Sequence, residues 1–263
     1  MSVAIREFNA MTAITFREFI RAFRSPVPFV VSLVFPILFL GILGGSLAQN
    51  LGGGIGFHYL QFVMIGMIVN SLFLETISGM SSLIEERDKN MTQGLYVSPI
   101  SRYSIILGKM IGSGMMSLIG LAGIIIVAIA MQIPLGGMNL LWLLLITPVI
   151  GMVGASLGIF FIGFVRDSKT ADAGSMLLVM PQLLLSGALI PITHSEGILG
   201  FLAKIMPMTY CIDFARAVFY WGEPEYDAVV LHHPLFNLSV MIVLFLVLSI
   251  VGSMMFARAE RNR

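Results

Sequence analysis

Long apolar blocks alternate with short polar stretches along the 263 residues of the chain. The blocks cover residues 27–48, 59–82, 104–131, 139–164, 170–190 and 235–257. Because a helix of about 20 apolar residues crosses the hydrocarbon core of a bilayer, each block predicts one transmembrane helix. The pattern therefore predicts an all-α integral membrane protein with six transmembrane helices in a single domain, residues 1–263.

The segment between the fifth and sixth blocks, residues 191–222, has a mixed character. It is apolar, but Pro191, Gly197 and Pro207 interrupt it. It is too broken for one continuous span and too apolar for a solvated loop. A seventh span here would also carry the basic C-terminus to the opposite side of the membrane, so we do not predict one.

The first 25 residues show helical rather than uniform apolar spacing. Ile5, Phe8, Met11 and Phe19 recur on one side of a predicted helix, and four arginines occupy other positions. This pattern predicts an amphipathic helix at the inner membrane interface, ended by a Ser-Pro pair. Two roles stay open for it: a basic anchor for acidic lipids, or a helix that also contacts a cytoplasmic partner.

The basic residues predict the orientation of the chain. With six spans and a cytoplasmic N-terminus, 13 of the 15 lysines and arginines lie in cytoplasmic segments, and only Lys204 and Arg216 lie outside. Cytoplasmic loops of membrane proteins carry such an excess. We therefore expect a multi-pass protein of the cytoplasmic (inner) membrane, surrounded by lipid, with both termini in the cytoplasm.

Composition and motifs exclude several classes of protein. Only 11% of the residues are charged, against roughly a quarter in soluble domains. The single Gly-Lys pair, Gly108-Lys109, is followed by Met110 and does not complete the phosphate-binding motif GxxxxGK(S/T). There is one cysteine, and HExxH and CxxC do not occur. We therefore expect no catalytic residues, metal site, cofactor or nucleic-acid partner, and an energy source in an ion gradient or another protein.

The stretch from Glu85 to Arg102, which reads EERDKNMTQGLYVSPISR, separates the second and third blocks. Its first five residues are charged with mixed sign and can extend the second span into the cytoplasm as a polar helix. Gly94 and Pro99 then permit a turn. Mixed charge suits a protein surface better than an acidic membrane surface, although a plain solvated loop is the alternative.

Two motifs in this order resemble the signatures of type-2 ABC permeases. The first is Glu86-Arg87-Asp88, followed by Leu95 to Arg102 and then by Gly108-Lys109. The second joins SGALIP, residues 186–191, to MPMTY, residues 206–210, with Asp213 and Arg216 after it. Asn90, Met91 and Gln93 depart from the usual pattern of the first motif.

The resemblance implies a pair of such chains, each engaging a separate ATPase subunit, so that two ATPase copies hold ATP and Mg while this chain holds no cofactor. It implies ATPase coupling through Glu85, Glu86, Arg87, Asp88, Leu95, Tyr96, Pro99 and Arg102. It also implies two short re-entrant helices at the outer face, in 191–222. They form an outer gate that contains Gly187, Pro191, Pro207, Tyr210, Asp213 and Arg216. The spacing of Asp213 and Arg216 allows these two to pair.

Polar residues inside the second and fifth spans suggest a substrate pathway, because they are costly in a bilayer. Those spans line the pathway in the resembled family. The candidates are Asn70, Phe73, Glu75, Met176, Met180 and Gln182. A hydrogen bond to a neighbouring span is the alternative for Glu75.

Few charges among apolar walls predict export of a hydrophobic or amphipathic cargo: a drug-like molecule, a lipid or a lipid-linked glycan. Three other functions remain open. They are an exporter of polysaccharide or nodulation-factor type, an ion-gradient carrier with Glu75 as proton relay, and a membrane scaffold that transports nothing.

Overall fold

The computed structural model describes residues 3–24, 30, 34, 37–51, 56–88, 101–192 and 197–261. These residues form helices and no strand, which confirms the all-α class. A π-helix, Ile37–Gly44, leads directly into α2. The α-helices are α1 (Val3–Arg24), α2 (Gly45–Leu51), α3 (Tyr59–Asp88), α4 (Arg102–Ala130), α5 (Gly137–Ile162), α6 (Ser168–Leu185), α7 (Gly197–Ile205), α8 (Pro207–Phe219), α9 (Tyr226–Val229) and α10 (Pro234–Arg261).

Within the described residues, four helices are long and apolar enough to cross a membrane. They are α3, α4, α5 and the segment Tyr226–Ala259, which includes α9 and most of α10. The predicted fifth span corresponds to α6, whose first two turns are polar. The predicted first span, 27–48, lies partly outside the described residues. The integral membrane class is therefore confirmed, and the number of six spans stays a prediction.

The segment after α6 is bent, as its prolines predict. The helices α7 and α8 meet at an angle of 83° around Met206, and Pro207 occupies the first turn of α8. Proline fits that position because its missing N–H is not needed there. The pair forms either a broken span or a re-entrant loop, which agrees with the predicted break in 191–222.

Helix α3 lies at the centre of the bundle and packs against α4, α5, α6 and α8. Every residue from Gln61 to Phe73 is buried, because neighbouring helices surround this part of α3. Its side chains are accordingly apolar around most of the helix circumference. Small residues bring α5 close to it. A Cβ atom at Gly158 would lie 2.9 Å from the Cβ of Met80. Close backbone approach through glycine is the usual basis of helix packing in membranes.

Helix α1 packs along the first turns of α4. The Thr15 hydroxyl donates a hydrogen bond to the Gly108 carbonyl at 3.0 Å. A Cβ atom at Gly112 would lie 2.7 Å from the Cβ of Glu18, so the two helices meet through glycine. The other side of α1 exposes Phe8 and Phe16, which is the amphipathic pattern expected of an interface helix.

Candidate functional site

Acidic and basic side chains meet where α1, the end of α3 and the start of α4 come together. We call them the ion cluster. Its members are Arg17, Glu18, Arg21, Glu85, Glu86 and Lys109. Among the side chains that the structure describes, three carboxylates therefore face three cations.

Lys109 and Glu86 form the buried centre of the ion cluster. The Lys109 side chain is fully buried, and its Nζ donates to Glu86 Oε1 at 2.6 Å. The same Nζ lies 3.4 Å from Glu18 Oε1. A buried ammonium without a partner is strongly destabilising, so these two carboxylates are required for Lys109 to occupy this position.

Two arginines of α1 complete the cluster from the side that is open to solvent. Arg17 Nη2 donates to Glu86 Oε2 at 3.0 Å and to Glu18 Oε1 at 2.9 Å. Arg21 donates to Glu86 Oε1 at 2.8 Å and to Glu85 Oε2 at 3.1 Å. Burial alone would lower the pKa of Arg17, but the carboxylates of Glu86 and Glu18 raise that pKa above its ordinary value. The cluster thus holds α1 against both α3 and α4.

Two further contacts tie the same end of the bundle together. The Ser101 amide donates to Glu7 Oε2 of α1 at 3.0 Å, and this hydrogen bond lowers the pKa of the Glu7 carboxyl. The Ser168 amide, at the start of α6, donates to Asp88 Oδ2 of α3 at 2.9 Å. The ends of α1, α3, α4 and α6 are therefore connected by carboxylates.

The structure describes only part of the predicted ATPase-coupling set. Glu85 and Glu86 belong to the ion cluster, and Asp88 joins α3 to α6. Arg87 and Arg102 lie in described helices, but their side chains lie outside the described residues, as do Leu95, Tyr96 and Pro99 entirely. Contact of these residues with an ATPase stays a prediction.

A cavity of about 310 Å³ lies between α3 and α6. The lining side chains from α3 are Asn70, Leu74 and Ser78. Those from α6 are Asp172, Ser175, Met176, Val179, Met180 and Leu183. One turn beyond Ser78, the hydroxyls of Ser81 and Ser175 share a hydrogen bond of 2.6 Å, which joins the two helices beside the cavity.

Three of the six predicted pathway residues line this cavity: Asn70, Met176 and Met180. Phe73 is buried against Gly154 of α5 instead. Glu75 is half-buried, lies outside the lining, and has no hydrogen bond or ion pair in the described part of the chain. The predicted hydrogen bond from Glu75 to a neighbouring span is therefore not seen.

Gln182 connects α6 to α8 rather than facing the cavity. Its Oε1 accepts a hydrogen bond from the Met208 amide at 3.3 Å, and its Nε2 donates to the Leu178 carbonyl at 3.2 Å. Sequence reasoning missed Ser78, Asp172 and Ser175 as lining residues. The sequence did contain a signal for Asp172. It precedes Met176 by four residues, as Met176 precedes Met180, so the three side chains share one face of a helix.

At the other end of α3, Arg216 and Asp213 organise the segment that was predicted to form the outer gate. Arg216 Nη2 donates to the Gly187 carbonyl at 2.8 Å, and its guanidinium carbon lies 3.4 Å from the centroid of the Phe62 ring. Gly187 has a φ of +81°, which glycine adopts without strain. Arg216 therefore fastens α8 to the end of α6 and to α3.

Asp213 binds the segment that precedes α10. Its Oδ1 accepts from the Leu231 amide at 2.7 Å, and its Oδ2 accepts from the His232 amide and from Asn237 Nδ2, both at 2.8 Å. Asp213 and Arg216, which the spacing allows to pair, form no direct ion pair in the described part of the chain, because each side chain is directed to a different segment. Tyr210 joins α8 to α7 through its hydroxyl, which donates to the Lys204 carbonyl at 2.7 Å. Pro191 is half-buried just after the end of α6.

Comparison with known proteins assigns this architecture to a family. The model of the family described as "ABC-2 type transporter" matches residues 9–220. Nodulation protein J of Rhizobium leguminosarum bv. trifolii is 28% identical over 199 residues, which are 73% of each chain. The putative transport permease ycf38 of Porphyra purpurea is 26% identical over 258 residues, 95% of this chain and 87% of that one. The inner membrane transport permease YhhJ of Escherichia coli is 26% identical over 161 residues, 60% of this chain and 43% of that one. The chain therefore belongs to the ABC-2 type transporter family of membrane proteins.

Proposed function

We propose that this chain is the transmembrane subunit of an ATP-driven exporter in the inner membrane, with its termini in the cytoplasm. Two copies work with two separate ATPase subunits, which hold the ATP and Mg. The observation that carries the proposal is the cavity between α3 and α6, which lies in a chain of transporter architecture without a nucleotide-binding motif. Such a chain draws its energy from an ion gradient or from another protein, and membership of the ABC-2 type transporter family favours a partner ATPase.

The ion cluster provides a route for that energy. The segment between α3 and α4, predicted to contact the ATPase, begins three residues after Glu86 and ends eight residues before Lys109. Glu86 and Lys109 bind each other and α1. A displacement of the segment therefore moves α1, α3 and α4 together instead of bending one helix alone. In this proposal Glu86 acts inside the chain, and the residues after Asp88 form the surface that meets the ATPase.

The cavity supports an amphipathic cargo of modest size. Five of its nine lining side chains are apolar and four are polar. Small-molecule sites in proteins have volumes of about 300 to 1,000 Å³ and are mainly apolar with a few polar groups. A hydrophobic or amphipathic molecule fits this description, whether drug-like or lipid.

A second candidate is export of a nodulation-factor or polysaccharide cargo. It is favoured by the relatives named nodulation protein J, which match about three quarters of this chain. The cavity holds only the apolar part of such a cargo, because a chain of sugar rings exceeds about 310 Å³.

Copurification tests the proposed partnership. The tagged chain is extracted in mild detergent from its native cells, and the eluate is analysed by mass spectrometry and for ATP hydrolysis. We expect an ABC ATPase in about equal amount. An eluate without any ATPase, together with vesicles that move cargo without ATP, would contradict the proposal and favour an ion-driven carrier.

A further inference from the structure

The lining of the cavity changes in character along its length. Asp172, Ser175 and Ser78 lie towards the end where α6 begins and α3 ends. Leu74, Val179, Met180 and Leu183 lie further along the two helices, and Asn70 lies on α3 at that deeper end. The acidic end is the one that the distribution of lysine and arginine predicts to be cytoplasmic.

Asp172 brings an uncompensated negative charge to this end. Its carboxylate has no hydrogen bond or ion pair in the described part of the chain. The charged side chain that acts on it is Glu85, another carboxylate. Lys169, one turn earlier on α6, is exposed and forms no ion pair with it. Among the described residues, the cations of the nearby ion cluster pair with Glu18, Glu85 and Glu86 and not with Asp172.

Asn70 presents a second acceptor. The residue is 1% exposed, and its Oδ1 has no hydrogen-bond partner. Buried polar atoms in native proteins are nearly always paired, so an orphaned acceptor in the lining of a cavity points to a donor from outside the chain. The hydroxyl of Ser78 can both donate and accept, whereas that of Ser175 is already bonded to Ser81 and to the Ala171 carbonyl. The lining as a whole therefore offers acceptors and negative charge.

We propose that this cavity selects amphipathic molecules with a cationic head that donates hydrogen bonds, such as a primary ammonium, over molecules with an anionic head. The inference rests on the proposed function and specifies the chemistry of its cargo. The ammonium group pairs with Asp172, and donor groups satisfy Asn70. The apolar body lies among Met176, Met180 and their neighbours, whose flexible thioethers adapt to different shapes. A phosphate or carboxylate head meets like charge at Asp172 and finds no cation in the lining.

Binding of a matched probe series tests this selection. The full chain is placed in nanodiscs of neutral phosphatidylcholine, with empty nanodiscs as background. Three dansyl-labelled probes share one twelve-carbon body and end in a primary amine, an alcohol or a carboxylate. We expect the amine to bind about fivefold tighter than the alcohol, since a half-screened charge pair contributes up to about that factor, and the carboxylate to bind weakest.

Asp172→Asn is expected to weaken amine binding about fivefold and to leave alcohol binding unchanged. Asp167→Asn is the matched control, because it makes the same chemical change on the same helix outside the cavity, and asparagine keeps the N-cap of α6. Asn70→Leu is expected to weaken all three probes by a similar factor, because Asn70 lies at the deeper end of the cavity, away from the head group, and accepts from the sulfonamide N–H of the dansyl label that the probes share.

Three results would overturn the inference. Carboxylate binding as tight as amine binding, or an Asp172→Asn effect no larger than that of Asp167→Asn, would show that the cavity does not select cations. Absence of binding for all three probes would show that it is not a cargo site. None of these results bears on copurification with an ATPase, which tests the proposed function separately.

Discussion

Lys109 is a fully buried lysine near the start of an apolar helix, and its surroundings explain why it is tolerated. Glu86 and Glu18 both lie within 3.4 Å of its ammonium, and they come from two other helices. A charged pair in this setting is weak evidence for stability as such, because desolvation opposes attraction. Its clear consequence is specificity: α1, α3 and α4 are held in one register.

We expect Lys109→Met to destabilise the chain by about 3 kcal/mol, the lower end for breaking a buried pair, because Arg17 and Arg21 still neutralise Glu86. The measurement is the midpoint of thermal unfolding in detergent. Lys169→Met, an exposed lysine on α6, is the control. The double variant Lys109→Met with Glu86→Gln should lose less than the sum of the single changes, because no buried charge remains unpaired at their contact. Additive losses, or equal midpoints for both lysine variants, would contradict this account of Lys109.

The contacts of Glu86 could not be predicted from the sequence alone. Glu86 was identified as important, but the interpretation placed it on a partner surface. Its actual partners lie 23 positions later, at Lys109, and 69 positions earlier, at Arg17. Such pairs depend on how helices pack and have no local signal. The one available clue was Lys109 itself, because a lysine inside an apolar helix requires a counter-charge.

At the scale of elements, glycines decide how closely α1 approaches α4. Gly112 faces Glu18. Two residues later, a Cβ atom placed on Gly114 would have no neighbouring atom within 4 Å. The two positions therefore form a natural pair for substitution on one helix.

Gly112→Ala is expected to push α1 away from α4 and to cost about 1–3 kcal/mol, as overpacking usually does. Gly114→Ala is expected to be neutral or slightly stabilising, because alanine favours a helix over glycine. Hydrogen–deuterium exchange of residues 3–24 measures the effect. Faster exchange is predicted for Gly112→Ala alone, and equal exchange in both variants would show that α1 is not held by this contact.

The elements themselves were largely predictable. The apolar blocks 59–82, 104–131, 139–164 and 235–257 lie within α3, α4, α5 and α10 to within a few residues, because long apolar runs have few alternatives in a bilayer. The polar extension of the second block to Asp88 and the bend at Pro207 were also predicted. The cavity lining was predictable only in part, since it depends on the rotation of α3 and α6 about their axes.

At the scale of the molecule, α3 touches all three features that the proposed function needs. It carries Glu86 of the ion cluster at one end, Asn70 and Ser78 of the cavity along its length, and Phe62 under Arg216 at the other end. Its 30 residues span about 45 Å at 1.5 Å per residue. In the proposed function, a movement of the Glu86 end of α3 is therefore transmitted along one continuous helix to the cavity and to the segment of Asp213 and Arg216.

The central claim is that a separate ATPase drives cargo through this chain, and cargo-stimulated ATP hydrolysis tests it most directly. The purified chain and the copurified ATPase are reconstituted in proteoliposomes, and hydrolysis is measured with and without the dansyl amine probe. The account predicts that the probe raises hydrolysis only when both proteins are present, and that Asp172→Asn reduces this rise. Hydrolysis by the ATPase that is the same with and without the chain, at every probe concentration, would contradict it.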